Sequence, residues 1–358
     1  MLQTIVEGLA KIKVPLEKIV SRKLPVFYNP IMKFNRDISV LLLNAVENKN
    51  MQIGSPLAGS GVREIRFLLE LAKDKIKSIA INDINLNAYN SIKENLALNG
   101  FTKYIEIKSK EDYNKKEKIK LSMNDANKFM LNSSGFDYID IDPFGSPNPF
   151  LNNAIARLAR DGILAVTATD TACLAGSTIK ACLRKYWAMP LRNEAMHENG
   201  LRILIRKVQL IGADNEKALI PIFSYFKDHY FRIFFRCEKG KQKADDIIKQ
   251  HGVYNNAGPL WTGKLWDTKL VNKMINICED EATARFLRII EDESKIDSAG
   301  FYNIPLICKK NKLNIIPQED IIKKIEDKGF RAAKTHFKGD GIRSNISLNE
   351  LIRILKNS

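Results

Sequence analysis

The chain has 358 residues, 45% of them hydrophobic and 8% aromatic, a length and composition that indicate two folded domains and exclude a single small module. Its 57 Lys and Arg residues outnumber its 41 Asp and Glu residues, which leaves a formal net charge of +16. This basic excess favours a nucleic-acid partner, although a basic protein without such a partner stays an alternative.

Targeting segments and metal-ligand motifs are missing from the sequence. No apolar run reaches the roughly 18 residues of a membrane span, and the first ten residues lack the pattern of a signal peptide. The five cysteines include no CxxC or CxxH pair, which argues against a disulfide framework or a structural zinc site. We therefore expect reduced, mostly buried thiols, no bound metal, no membrane contact and a cytoplasmic location.

Strand and helix patterns alternate along the first half of the chain. Apolar spacing predicts a helix over 35–46 that Asn35 caps, and the helix over 86–98 has Asn85 as its cap and Gly100 after its end. The other predicted elements are strands at 51–55, 78–82, 104–108, 136–141 and 162–169 and helices at 62–72 and 150–160. This alternation predicts an α/β fold with a doubly wound parallel sheet, which binds ligands at the carboxyl ends of its strands.

The second half of the chain has a different character. Runs at 219–226 and 230–237 predict an antiparallel hairpin that closes the sheet. We expect a domain over 1–240 with an N-terminal lid segment, a connector over 241–265 and a C-terminal domain over 266–358. The predicted helices in that domain are at 270–278, 282–293, 317–328 and from 348, with the basic segment 331–343 before the last. This order is typical of a winged-helix nucleic-acid binder, and a small helical cap is an equal alternative.

A glycine-containing turn follows the first strand of the predicted sheet. Leu57-Ala58-Gly59-Ser60-Gly61 lets the backbone turn tightly beside a ligand, and Asp83 ends the next strand 22 residues after Gly61. An acid at that strand end is placed to accept hydrogen bonds from ribose hydroxyls. The pair predicts an adenosine cofactor site, with a plain structural turn as the alternative.

Asp125 and Ala126 lie in the run Asn124-Asp125-Ala126-Asn127. A carboxylate here could accept a hydrogen bond from an adenine amine, and a backbone N–H could reach a ring nitrogen. From the residues alone, a helix cap is the favoured interpretation.

The most specific motif is Asp140-Ile141-Asp142-Pro143-Phe144-Gly145-Ser146-Pro147 at the end of an apolar strand. This pattern suits methylation of an exocyclic amine, whose nitrogen is a poor nucleophile until acceptors draw it out of conjugation. The Asp142 carboxylate and the Pro143 carbonyl can hold the amine hydrogens, and the Phe144 ring can stack on an extruded base. An ordinary turn would explain 142–145 but leaves the two acids on an apolar strand unexplained.

An aromatic pair lies between prolines in Pro25-Val26-Phe27-Tyr28-Asn29-Pro30. Phe27 could cover the other face of a base as part of a lid, although a loop packed on the core is the default interpretation. Arg36, on the following helix, could pair with a cofactor carboxylate or a phosphate.

Together these motifs resemble the tRNA (guanine-26-N2) dimethyltransferase family, and its archaeal branch in particular. The resemblance extends over nearly the whole chain and includes Asn35-Arg36-Asp37-Ile38, Leu57-Ala58-Gly59-Ser60-Gly61-Val62-Arg63, Ala165-Val166-Thr167-Ala168-Thr169-Asp170-Thr171, Asp228-His229-Tyr230-Phe231-Arg232 and Thr335-His336-Phe337. It implies a class I methyltransferase domain that uses S-adenosylmethionine and a C-terminal RNA-binding domain. The implied activity is transfer of one or two methyl groups to N2 of guanine 26 in tRNA.

The resemblance also implies roles for individual residues. Asp142 is the implied catalytic acceptor, and Phe27 and Phe144 are implied to sandwich the guanine, next to Pro143. The implied cofactor-binding residues are Arg36, Arg63, Asp83, Asp125 and Ala126. We assign contacts with the tRNA backbone to the basic segment, at Arg331, Lys334, His336, Lys338 and Arg343.

The sequence departs from the family pattern at three places. Ser55 replaces an acid at the end of the first strand, so a contact to the methionine amino group is missing or comes from elsewhere. Ile31 replaces a common arginine, and residues 254–257 lack the cysteines of the zinc cluster that some members carry.

Two other functions fit parts of the sequence. A nicotinamide-dependent dehydrogenase would also have a glycine-containing turn and an acid about 20 residues later, but a complete GxGxxG is missing here. A non-catalytic RNA-binding protein with a vestigial fold would bind tRNA without methyl transfer, and the intact 142–145 motif argues against it.

Overall fold

The computed structural model of the protein describes residues 2–15 and 26–356. Packing divides the chain into two compact units, of which the first comprises Met1–Thr169, Ile211–Ile220 and Phe234–Ala244 and the second Asp170–Leu210, Pro221–Ile233 and Asp245–Ser358. Because packing alone assigns no function to either unit, the functional domains at 1–240, 241–265 and 266–358 stay predictions.

The first unit begins with an antiparallel hairpin that the sequence analysis did not predict. Its strands are β1 (Leu2–Glu7) and β2 (Ala10–Pro15), joined at Gly8, which has a φ of +55°. Of the predicted lid motif, Pro25 lies outside the described residues. A 3₁₀ turn at Pro30–Met32 then leads into helix α1 (Lys33–Ala45).

Parallel strands and helices alternate after α1, as predicted. The strands are β3 (Met51–Ser55), β4 (Ile76–Asn82), β5 (Ile105–Glu106), β6 (Ile119–Ser122), β7 (Phe136–Ile141) and β8 (Leu158–Ala168). The helices are α2 (Val62–Glu70), α3 (Leu86–Leu98), α4 (Ala126–Asn132) and α5 (Asn148–Arg157). The strand order β5-β6-β4-β3-β7-β8, with all five neighbouring pairs parallel, confirms the predicted doubly wound sheet.

The predicted hairpin over 219–237 also exists. Its strands β9 (Lys217–Lys227) and β10 (Tyr230–Lys239) bring the sheet to eight strands, with β10 next to β8 and β9 at the edge. Because β3 lies between β4 and β7, the chain order reverses there. The carboxyl ends of β6, β4, β3 and β7 are therefore neighbours in that order, and this edge is where such a sheet binds ligands.

The bounds of several elements differ from the prediction. Helix α3 is confirmed with its Asn85 cap, whose side chain accepts from the Asn87 and Ala88 N–H groups. Helix α1 begins two residues before Asn35, so the predicted Asn35 cap is wrong. Asn29 caps the preceding 3₁₀ turn instead, which leaves the Asn35 side chain buried and available for a tertiary contact. The strand predicted at 104–108 is short, and β6 was missed because a polar stretch precedes it.

The second unit contains most of the remaining elements. The helices that follow are α6 (Thr171–Leu174), α7 (Ile179–Tyr186), α8 (Met196–Asp214), α9 (Lys241–Ile248), α10 (Thr268–Asn276), α11 (Glu281–Ser294), α12 (Ile304–Asn311), α13 (Gln318–Glu326) and α14 (Leu348–Lys356). The strands are β11 (His251–Tyr254), β12 (Ala257–Trp261), β13 (Tyr302–Asn303), β14 (Ala332–Thr335) and β15 (Lys338–Ser344).

The C-terminal elements share one small core. Helices α12, α13 and α14 and the three-stranded sheet β13-β15-β14 bury residues that include Cys308, Ile321, Ile342 and Leu351. Three helices with a β-hairpin between the last two are typical of a winged-helix domain. None of the helices within 2–15 and 26–356 has the length and apolarity needed to cross a membrane.

Candidate functional site

A buried asparagine holds three strand ends of the sheet together. Asn82, the last residue of β4, donates from Nδ2 to the carbonyls of Pro56 (3.0 Å) and Asn124 (2.9 Å). Its Oδ1 accepts from the Asn124 N–H at 3.0 Å. The loops after β3 and β6 are thereby fixed to β4. Sequence reasoning missed this role, although Asn82 directly precedes the predicted Asp83.

Asp83 fixes the glycine-containing turn. Its Oδ2 accepts from the Gly59 N–H and its Oδ1 from the Asn85 N–H, both at 2.9 Å. Gly59 and Gly61 have φ values of +57° and +75°, the left-handed region that glycine adopts without strain. Burial raises the pKa of Asp83, while the backbone N–H groups act in the opposite direction. Each carboxylate oxygen keeps acceptor capacity for a further donor.

Asp125 is a helix cap, which confirms the interpretation that the residues alone favour. Its Oδ1 accepts from the Asn127 N–H at 3.0 Å and the Lys128 N–H at 3.1 Å, and buried Ala126 opens helix α4. Both of these bonds use the same oxygen, so the cap does not occupy Oδ2. Capping and ligand binding are therefore compatible at this residue.

Asp142 lies at the carboxyl end of β7 and pairs with Arg63 of α2. Arg63 Nη2 donates to Asp142 Oδ2 in a short contact, and the side chain of Asp142 is 20% exposed. Arg63 Nη1 donates to Asn35 Oδ1 and Ser39 Oγ, both at 2.9 Å. The arginine is thus held by α1 and in turn orients the carboxylate of Asp142.

The neighbouring acid Asp140 is fully enclosed. Its Oδ2 accepts from the Tyr138 hydroxyl at 2.6 Å and lies 3.4 Å from Arg63 Nη1. Both acids on the apolar strand therefore share one guanidinium, which explains how a buried carboxylate is tolerated here. Of the two, Asp142 is the more exposed.

The turn after Asp142 is fixed by Thr169, the residue after β8. The Gly145 N–H donates to Thr169 Oγ1 at 2.7 Å, and the Thr169 N–H donates to the Gly145 carbonyl at 2.9 Å. Pro143 is buried, and the Phe144 side chain is exposed. The turn is therefore rigid and presents one aromatic ring to solvent.

Phe27 and Phe144 lie in direct contact. Their ring centroids are 4.3 Å apart and the ring planes meet at 81°, an edge-to-face arrangement. Phe27 Cβ also lies near Gly59, where an added Cβ would be 3.2 Å from the Phe27 carbonyl. The structure brings the two predicted rings together, but a base fits between them only if they separate.

Arg36 is buried against the N-terminal hairpin. Its Nε and Nη2 donate to the two carboxylate oxygens of Glu7, both at 2.6 Å, and Nη2 also donates to the Asn29 carbonyl. These contacts occupy one side of the guanidinium, so a cofactor contact has to use Nη1. Sequence reasoning missed Glu7, whose partners are distant in the chain.

The five basic residues predicted to contact RNA fall into two groups. Arg331 and Lys334 are exposed, and Lys338 is half-buried. Arg343 is fully buried, and its Nη2 donates to Glu198 Oε2 at 2.8 Å. The His336 side chain is 1% exposed and pairs through Nδ1 with Glu293. The structure therefore gives Arg343 and His336 structural roles, which corrects their assignment to the tRNA backbone.

Glu198, Glu293 and Arg343 form a buried ion-pair cluster in the second unit. Arg343 Nε donates to Glu293 Oε1 at 3.1 Å, and Arg202 Nε donates to Glu198 Oε1 at 2.9 Å. Burial acts to raise the pKa of Glu198, but Arg343 and Arg202 outweigh it and hold the pKa at about 2. The cluster connects α8, α11 and β15.

The described part of the chain offers no metal site, and its thiols are free. Within the described ranges, no group of three or more His, Cys, Asp or Glu side chains is arranged to hold a metal ion. All five cysteines are free thiols, four of them buried and Cys278 partly exposed, as predicted.

Known proteins match this chain over nearly its whole length. A model of the N2,N2-dimethylguanosine tRNA methyltransferase family matches residues 8–256 and 249–356. A tRNA (guanine(26)-N(2)/guanine(27)-N(2))-dimethyltransferase from Aquifex aeolicus is 37% identical over 98% of this chain and 95% of its own length. A tRNA (guanine(26)-N(2))-dimethyltransferase from Methanocaldococcus jannaschii is 35% identical over 98% of this chain and 97% of its own length.

A solved structure is also similar. It is the complex of Trm1 from Pyrococcus horikoshii with S-adenosyl-L-methionine, with a TM-score of 0.88 and 34% identity. The similarity covers 99% of this chain and 100% of that one.

Proposed function

Since this chain belongs to the N2,N2-dimethylguanosine tRNA methyltransferase family, we propose that it transfers methyl groups from S-adenosylmethionine to N2 of guanine 26 in tRNA, in the cytoplasm. The fold is that of a class I methyltransferase. The single observation that supports the proposal best is the order of side chains along one sheet edge: Asp125, Asp83, Ser55 and Asp142 follow or end the adjacent strands β6, β4, β3 and β7.

The residues at this edge suit an adenosyl group. Asp83 retains acceptor capacity for ribose hydroxyls beside the Gly59 turn, and Asp125 keeps one oxygen outside its cap for an adenine amine. Ala126 would offer its backbone N–H to the ring. Arg36 could still bind the cofactor through Nη1, the nitrogen that Glu7 and Asn29 leave available. Arg63 contributes by orienting Asp142. S-adenosylmethionine supplies an electrophilic methyl group when it is bound.

The chain's own residues prepare the guanine amine. Asp142 accepts a hydrogen bond from the amine and takes its proton, and the buried Pro143 offers its carbonyl as a second acceptor. These acceptors draw the nitrogen lone pair out of conjugation with the ring. Phe144, and Phe27 after the two rings separate, stack on the base. No covalent enzyme intermediate is needed, and rotation of the monomethyl amine would present its second hydrogen to the same acceptors.

The C-terminal elements are proposed to contact the tRNA backbone through Arg331, Lys334 and Lys338, whose side chains remain accessible. Among the alternatives, a dehydrogenase gains no support from the comparisons. A non-catalytic RNA-binding protein would also bind tRNA but would transfer no methyl group, so a methyl-transfer assay distinguishes the two functions.

The experiment that tests the proposal is Asp142→Asn, assayed by mass spectrometry of nucleosides from a treated tRNA transcript. We expect methylated guanosine with the unaltered protein and a loss of turnover of about 100-fold or more with the variant, because the amide cannot take the proton. Asp161→Asn, at an exposed residue of β8 with a positive φ, is the matched control and should keep full activity. Full turnover by Asp142→Asn would contradict the assignment, and a parallel transcript lacking guanine 26 tests the position.

A further inference from the structure

A buried acid lies next to the strand end that lacks one. Glu64 is the third residue of helix α2, which begins after the turn that follows β3, and it is 2% exposed. Ser55, the last residue of β3, is also 2% exposed. The two side chains are near enough to interact, but within the described part of the chain neither Ser55 Oγ nor Glu64 Oε2 has a partner with hydrogen-bond geometry. A buried carboxylate oxygen without a donor is costly and calls for an explanation.

The position of this acid in the sheet indicates what could satisfy it. Strand β3 lies between β4, which is followed by the proposed ribose acceptor Asp83, and β7, which is followed by the proposed proton acceptor Asp142. With its ribose at Asp83 and its reacting methyl near Asp142, as the proposed function requires, S-adenosylmethionine would place its amino-acid part near the end of β3. The residues there that could hold this part are Ser55 and those of the first turn of α2.

From this juxtaposition we propose that Glu64 binds the α-ammonium group of S-adenosylmethionine, with the Ser55 hydroxyl as a second acceptor. Glu64 thus supplies from the helix the carboxylate that Ser55 does not supply from the strand. This inference rests on the proposed function, because it requires the adenosyl cofactor.

The charged neighbours of Glu64 are Arg63 on its own helix and Asp140 on β7. Burial raises the pKa of Glu64 to about 7, against the lowering effects of Arg63 and of Ser55. In the ligand-free protein near neutral pH the carboxyl is therefore partly protonated, and an ammonium group placed beside it favours the ionised form. Cofactor binding near pH 7 should then release a proton from Glu64. Affinity should rise with pH up to about 7 and level off above it, where the carboxyl is already ionised in the free protein.

The first test measures how tightly two ligands bind to the variant Glu64→Gln and to the unaltered protein. Glutamine has nearly the same shape as glutamate, so this variant keeps the buried volume. S-adenosylhomocysteine carries the ammonium group, whereas 5′-methylthioadenosine lacks the whole amino-acid part. We expect the Kd of S-adenosylhomocysteine to rise about 10- to 100-fold, because a charge-assisted hydrogen bond is lost, and the Kd of 5′-methylthioadenosine to stay unchanged. Glu94→Gln, an exposed position on α3, is the matched control.

A second variant places the carboxylate at the end of strand β3 instead of on helix α2. Ser55→Asp combined with Glu64→Gln should recover part of the lost affinity for S-adenosylhomocysteine. Calorimetry in two buffers of different ionisation enthalpy measures proton release, which should be smaller in Glu64→Gln than in the unaltered protein at pH 7.

The outcomes separate the two levels of inference. Equal affinities and equal proton release in Glu64→Gln and the unaltered protein would overturn the role of Glu64 while leaving the proposed function intact. Equal weakening of both ligands would also overturn it, since Glu64 would then act through the fold. If the unaltered protein bound neither ligand, the proposed function itself would fail.

Discussion

At the scale of single residues, Arg63 connects the acids of the candidate site to a neighbouring helix. It joins Asp140 on β7 and Asp142 just after that strand to Asn35 and Ser39 on α1. A planar guanidinium can make these contacts at once because its donors point in fixed directions. Arg63 is therefore a positioning residue for the proposed proton acceptor.

Arg63→Lys should lower kcat about 10- to 100-fold and leave the KM for tRNA nearly unchanged, because one ammonium group cannot hold Asp142 and reach α1 together. Steady-state kinetics on a tRNA transcript measure both constants. The exposed Arg160→Lys serves as the matched control. An unaltered kcat in Arg63→Lys would remove the positioning role, and a raised Kd for S-adenosylhomocysteine would show a cofactor contact as well.

Phe144→Ala should raise the KM for tRNA about 5- to 150-fold, because stacking on one base contributes roughly 1–3 kcal/mol. Phe144→Tyr keeps the ring and should retain most of the affinity. Since the side chain is 44% exposed, either change should leave the thermal midpoint of unfolding nearly unchanged. An unchanged KM in Phe144→Ala would rule out stacking by this ring.

At the scale of elements, the N-terminal hairpin is attached to the rest of the first unit through buried charges. Glu7 at the end of β1 pairs with Arg36 of α1, at 2.6 Å, and with Arg66 of α2, at 3.1 Å. The Tyr28 hydroxyl donates to the same carboxylate at 2.9 Å. One acid thus connects the hairpin, the segment that carries Phe27 and two helices.

Glu7→Gln should lower the free energy of unfolding by about 3–5 kcal/mol at pH 7, because the buried Arg36 guanidinium loses its counter-charge. Arg66 loses one of its acids but keeps Asp37 and Glu70. Burial alone would raise the pKa of Glu7, but its bonds to Arg36 outweigh this and lower it below 4.5. The stabilisation is therefore present above pH 4.5 and is lost as pH falls through the lower, folded-state pKa.

Denaturant unfolding between pH 3 and 8 measures this difference. The difference in free energy of unfolding between Glu7→Gln and the unaltered protein should become smaller as pH falls below 4.5. Glu106→Gln, which removes a solvent-exposed ion pair with Lys93, should change the stability by less than about 1 kcal/mol. A pH-independent gap would contradict the ionised role of Glu7.

The sequence predicted well those helices and strands whose start or end is marked by residues within or next to the element itself. Helix α3 carries its own cap at Asn85, and Gly100 after it has a φ of +82°. The positions of Asp83 and Asp142 at strand ends were also predictable, because each directly follows an apolar strand. The hairpin, the Asn82 bridge and the Arg63–Asp142 pair were not, because they depend on which strands and helices become neighbours. Asn35 shows the conflict directly: its local pattern favours a cap, whereas its tertiary contact with Arg63 prevails.

At the scale of the whole molecule, the net charge of +16 is compatible with tRNA binding, but burial decides which basic groups can contribute. In the 331–343 segment, the side chains of Arg343 and His336 are paired with buried acids, so Arg331, Lys334 and Lys338 remain for a phosphate backbone. A count of basic residues in a sequence therefore overstates the accessible positive charge.

Lys334→Glu combined with Lys338→Glu should weaken tRNA binding and reduce the salt slope of log K by about 1 per residue. Filter binding at several salt concentrations measures the slope. The double change Lys116→Glu and Lys118→Glu alters the net charge equally at other exposed lysines. Equal weakening in both double variants would indicate a general charge effect and no specific contact at the C-terminal hairpin.

The Glu198–Arg343 pair joins residues separated by 145 positions. At a synthesis rate of about 5–20 residues per second, Glu198 leaves the ribosome roughly 7–30 s before its arginine. During that interval a carboxylate destined for the interior has only Arg202 as a counter-ion within the cluster. A nascent chain stopped before β15 should therefore keep the second unit open to proteases, so the final strand sets the moment at which this half of the protein becomes resistant to degradation.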